Sequence, residues 1–64
     1  MNTQWSVTFN SHTELFGEDR AGAKKFAVGV QQSLPNACVW LIGEGNMFRV
    51  QYDALAMLND PEEG

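Results

Sequence analysis

The 64-residue chain contains one cysteine, one histidine, two prolines and four basic side chains, against eight acidic ones. Each shortage excludes something. With Cys38 alone there is no disulfide within the chain, and a single cysteine in a short chain points to a reducing compartment. Cys38 falls in an apolar stretch and reads as a small buried hydrophobe. His12, in the polar stretch "NSHTE", has no partner cluster of cysteine or histidine at metal-ligand spacing, so no zinc site is expected. One loop imidazole also leaves no set of nucleophile, base and orienting group, and the expectation is a non-catalytic protein. The carboxylates are scattered, with no pair placed for glycoside chemistry.

Scarcity of positive charge excludes more. The formal net charge is −4, whereas sequence-independent binding of phosphates needs a basic surface. Direct nucleic-acid binding is not expected. No stretch reaches the ~20 apolar residues of a membrane span, and no basic segment precedes a short apolar one as in a signal peptide. The expectation is a cytoplasmic protein with no membrane contact. No cofactor is implied either: "GEG" at 43–45 lacks the spacing and the lysine of a phosphate loop and reads as a turn.

What is present is a pattern of short elements. In "QWSVTFN", Trp5, Val7 and Phe9 alternate with Ser6, Thr8 and Asn10, the period of a half-buried strand. "SHTELFG" follows. Ser11 and Glu14 have capping-box spacing, and residues 11–17 read as a loop or a single helical turn, with Leu15 and Phe16 tucked against the core. A helix is expected over about residues 18–33. Ala23, Phe26, Ala27, Val30 and Leu34 form one apolar stripe. Glu18 and Asp19 fall in its first turn, where the helix dipole favours anions. Lys24, Lys25, Gln31 and Gln32 lie off the stripe and should be wet. Pro35 ends the helix.

"CVWLIGEGNMFRVQY", residues 38–52, reads as a hairpin turning at "GEGN", 43–46. Asp53 then caps a short helical segment, 54–58, and an acidic tail, 59–64, is expected to fray. The resulting fold class is α+β: a three-stranded antiparallel sheet with one helix packed on one face, order β-α-β-β, in a single small domain. A three-residue loop with a bulge would put Trp40 and Ile42 inside and Val39 and Leu41 outside; the preferred even-length loop places Val39 and Leu41 on the helix side with Phe48, Val50 and Tyr52. The other face then carries Cys38, Trp40, Ile42, Met47 and Arg49. Covering that face falls either to residues 54–58, with Leu55 and Leu58 on Trp40, or to another molecule.

Size argues for the second. Folding this length buries about 6,000 Å², a little over half of it apolar, which yields on the order of 90 kcal/mol. Ordering the chain costs about 1.5 kcal/mol per residue, again on the order of 90. A lone domain is therefore marginal, and with disulfides and metal excluded, association remains. An exposed apolar patch with Trp, Met and Arg marks an interaction surface.

The functional expectation is a small acidic protein-binding module, of the kind phages and mobile elements use to inhibit a host protein. Its partner surface is Trp40, Ile42, Met47, Arg49 and Glu44, with Glu14, Glu18 and Asp19 as an acidic surface steering a basic target. The partner is a host protein or a second copy. Arg49 beside Trp40 is a candidate cation–π pair or a hot spot, and Arg20, Lys24 and Lys25 form a basic cluster on the helix exterior. The alternative is a nucleotide-like ligand bound at a homodimer interface, with Trp40 or Trp5 stacking and Arg49, Arg20 or Lys24 holding the anion.

Overall fold

A computed structural model describes residues 3–58 of the chain. Strand β1, Gln4–Phe9, turns tightly into β2, His12–Gly17; helix α1, Arg20–Ser33, follows. Then come β3, Trp40–Glu44, β4, Arg49–Asp53, and the short helix α2, Ala54–Leu58. The sheet is antiparallel with strand order β2-β1-β3-β4. The α+β class and antiparallel sheet agree with the sequence reading, but there are four strands and two helices where three strands and one helix with a helical turn were expected.

The added strand is the segment read as a loop. Asn10 and Ser11 both take positive φ, 47° and 64°, which builds a two-residue hairpin whose twist matches the strands. A capping box at Ser11 does not form, because residue 12 already enters the ladder opposite Phe9. β2 is an edge strand and largely exposed, so its sequence carries little of the alternation that betrays a strand. Near its end the register shifts: Ser6 pairs with Leu15 and Trp5 with Gly17, leaving Phe16 as the extra residue. Phe16 joins the ring cluster of Phe9 and Phe26, at 5.3 Å from the latter. Leu15, expected against the core, points the other way and is 78 % exposed.

α1 starts two residues later than expected. Asp19 is its N-cap, accepting a hydrogen bond from the Gly22 backbone N–H at 2.9 Å, and Glu18 lies before it. Ala23 and Ala27 are fully buried, with Phe26 and Val30 packed around them, and Leu34 is the partly exposed C-cap. Gln31, expected to be wet, is buried at 1 % exposure. Its Nε2 donates towards the carbonyls of Leu34, Pro35 and Ala37 at 3.0–3.5 Å. It thereby ties down the turn that returns the chain to the sheet, adding to the backbone bond from the Ala37 N–H to the Leu34 carbonyl at 3.0 Å.

The hairpin has the even register. Leu41 pairs with Tyr52 and Gly43 with Val50, across the four-residue loop 45–48. Val39, Leu41, Val7 and Trp5 form the core beneath α1. Gly43 is required there: a Cβ would lie 2.6 Å from the Trp5 ring. Phe48, expected on the inner face, sits in the loop over Gly45 and is 52 % exposed. Met47, also in the loop, is 92 % exposed. Cys38 precedes β3 and is exposed rather than buried. As expected, Asp53 caps α2, accepting from the Leu55 N–H at 3.0 Å. α2 packs on α1 and β4, with Ala54 buried and Met57 against the core. It therefore lies on the helix side and leaves the opposite face of the sheet uncovered among the described residues. The predicted acidic tail, 59–64, lies outside the described residues.

Candidate functional site: the outward face of the sheet

Strand alternation fixes which side chains share the outward face. Since Val7 and Leu41 are buried beneath α1, their neighbours in sequence point away. The pairings arrange them in rows. Thr13, Thr8, Trp40 and Asp53 make one row; Leu15, Ser6, Ile42 and Gln51 the next; Gln4, Glu44 and Arg49 the third. The hydroxyls of Thr8 and Thr13 lie 3.2 Å apart, as cross-strand neighbours should. Trp40 and Ile42 are half-buried by flanking side chains, while Leu15 stands free. Trp40 and Ile42 are thus apolar neighbours along β3, and Leu15 lies across the row from Ile42 with Ser6 between them, on a face otherwise made of Thr, Ser, Gln and charged groups.

Of the residues assigned to this stripe from sequence, Met47 lies off the face, and Arg49 lies on it but away from Trp40. Met47 belongs to the hairpin loop rather than the ladder. Arg49 is two rows from Trp40, because Trp40 pairs with Asp53 and Arg49 with Glu44. Arg49 instead forms an ion pair from Nε to Glu44 Oε2 at 3.3 Å and donates from a terminal nitrogen to Gln51 Oε1 at 3.0 Å. The cation–π contact found in the molecule joins different partners: the Arg20 guanidinium lies 5.4 Å from the Trp5 ring centre. Leu15 is the member of the face that sequence reasoning missed. Its signal was a leucine flanked by Glu14 and Phe16, legible only once residues 12–17 are known to be a strand.

No family model, curated protein or solved structure matches this chain.

The acidic residues divide into two places. Glu18 and Asp19 follow Gly17, and Glu44 ends β3; the pairings of Gly17 and Gly43 with Trp5 bring all three to one end of the sheet. Glu14 is separate, on β2, bonded to His12 at 3.0 Å. Both side chains are about half exposed, and His12 also meets the Phe9 ring edge-on. The basic residues of the ligand alternative also divide. Arg20 and Lys24 lie on α1, along an open groove of about 510 Å³ with Lys25, Ala21, Val28, Gly29 and Gln32. Trp40 and Arg49 lie on the opposite side of the sheet, so one chain does not gather the four. Among the described residues, no three His, Cys, Asp or Glu side chains group to hold a metal. No described helix is long and apolar enough to cross a membrane.

Proposed function

We propose that this chain is a non-catalytic protein-binding module that docks its outward sheet face on a protein partner. The observation that carries this reading is the position of α2 on the α1 side, which leaves Trp40, Ile42 and Leu15 without cover from the described chain. Exposed leucine and a half-buried tryptophan in a polar surround have the make-up of an interface centre with a wet rim. Glu18, Asp19 and Glu44 at one edge favour a target with a basic surface, and their long-range field raises the rate of encounter at low salt. A phage- or mobile-element-type inhibitor of a host protein fits this profile, as does a module acting on a second copy.

The test is the double substitution Leu15→Ser with Trp40→Ala. Neither side chain is part of the buried core, so circular dichroism and the cooperativity of unfolding should match those of the original chain. The original chain is expected to retain a defined protein from a host lysate, or to self-associate, and the variant to do neither. A folded variant that retains the same partner with the same affinity overturns the reading.

A further inference from the structure

On the reading of this chain as a protein-binding module, we propose that the free edge of β2 takes up an extended segment of the partner protein as a fifth, antiparallel strand. An apolar side chain of that segment lies opposite Leu15 and a basic one opposite Glu14. Successive residues of an antiparallel strand turn their N–H and C=O groups to opposite edges. The two-residue turn at Asn10 and Ser11 makes Phe9 and His12 a hydrogen-bonded pair. Glu14 then bonds to Val7, and the N–H and C=O of Thr13 and Leu15 point out of the sheet. The second hairpin gives the same phase independently. Its Gly45 N–H bonds the Phe48 carbonyl at 2.9 Å, so Leu41 and Gly43 bond to β4. Trp40 and Ile42 are left to bond Thr8 and Ser6, the neighbours of Thr13 and Leu15.

An open edge of this kind is a template for another strand. The other edge, β4, is blunted: its outward side chains are Arg49, Gln51 and Asp53, and α2 follows without a break. β2 has no lysine, arginine or proline, is exposed from His12 to Leu15, and adds a leucine to the outward face. A second copy fits this edge poorly in every register that uses the free groups. Thr13 against Leu15 of a copy sets the two Glu14 carboxylates directly opposite each other at the close, non-hydrogen-bonded spacing. Thr13 against Thr13 carries Leu15 into the turn at Ser11. Leu15 against Leu15 carries Thr13 onto Gly17, where φ is +59° and the ladder is irregular. A foreign strand escapes this conflict by placing lysine or arginine opposite Glu14. One Glu14 oxygen is bonded to His12 at 3.0 Å, and the carboxylate keeps further acceptor sites. A β-branched residue opposite Leu15 then continues the outward face across the new strand.

Amide NMR of the full chain, titrated with the capped peptide Val-Arg-Val-Arg-Val-Arg-Val, tests it. Shifts should centre on Thr13 and Leu15, and exchange of their amide hydrogens should slow about tenfold at saturation, as hydrogen-bonded amides do. A peptide of the same composition with its valines and arginines in blocks should bind at least about fivefold more weakly, because alternation is what a strand reads. The counterpart with glutamate for arginine should also bind more weakly, and Glu14→Lys should reverse that preference. Thr13→Pro removes an outward N–H at a place where an edge strand tolerates proline, so it should keep the fold and weaken binding at least about fivefold. No binding of the alternating peptide, equal affinity of the block peptide, or an unreversed preference in Glu14→Lys overturns the proposal. Shifts confined to Trp40, Ile42 and Gln51, and unaffected by Thr13→Pro, overturn strand addition while leaving the outward face as the docking site. Retention of the protein partner by Leu15→Ser/Trp40→Ala but not by Thr13→Pro has the opposite meaning: the edge binds and the face does not.

Discussion

Three glycines show how differently one residue type is used. At Gly43 a Cβ would lie under 3 Å from three atoms of the Trp5 ring, and that ring is held from its own side by Arg20. The ring is not the loose end of a flexible chain, so it has nowhere to go. Gly43→Ala should destabilise the fold by about 1–3 kcal/mol, as overpacking does, which urea or thermal unfolding would register. A Cβ at Gly29, in the middle of α1, would meet nothing. Gly29→Ala should therefore raise stability by up to about 1 kcal/mol through helix propensity alone; an unchanged or lower melting temperature would contradict this. The third, Gly17, has φ of +59° and closes β2 where the register shifts. Its open surroundings show that backbone conformation, rather than space, selects glycine there.

At the scale of elements, α1 is held by few strong features. Its buried residues are Ala23 and Ala27, small enough to bring the helix close to the sheet, and Gln31, and its start depends on one cap. Asp19→Ala should cost about 1 kcal/mol, the ordinary value of an N-cap, measured as a shift in the denaturation midpoint with an unchanged slope. The Arg49–Glu44 pair at the end of the second hairpin is of another kind. Both side chains are more than half exposed, and exposed pairs of this sort contribute about 0–1 kcal/mol. Arg49→Ala should barely move the midpoint, and less still at high salt; a loss above about 2 kcal/mol would mean that the pair is shielded in a way its exposure does not suggest.

At the scale of the whole molecule, the question is what meets the outward face. Four strands at about 4.8 Å and five or six residues at about 3.4 Å give a footprint of roughly 350 Å². Even doubled for the relief of side chains, this stays under the ~800 Å² per partner of a standard interface. Two copies meeting through this face alone would associate weakly. Sedimentation velocity should show a monomer at low micromolar concentration; a tight dimer there would require contacts beyond the sheet face. A larger partner that also reaches Glu18, Asp19 and Glu44 can bury more, and its association should slow as salt rises.

Part of this was legible in the sequence for physical reasons. The alternation of Trp5, Val7 and Phe9, the spacing of Ala23, Phe26, Ala27 and Val30, and the cap at Asp53 are local patterns that a backbone must honour. Together they determine the α+β class, α1 and the second hairpin with an apolar group left over on its outward face, whereas the even register of that hairpin was settled by the pairing of β3 with β4. The edge strand β2 was not legible, because exposure frees its side chains from alternation and its turn is built on positive φ at Asn10 and Ser11 rather than on glycine. The burial of Gln31, the stacking of Arg20 on Trp5 and the separation of Arg49 from Trp40 depend on which residues become neighbours across strands and layers. The side of the sheet on which α2 packs was decided in the same way. Local periodicity orients a side chain relative to its own element, and only the packing of one element on another decides what that side chain meets.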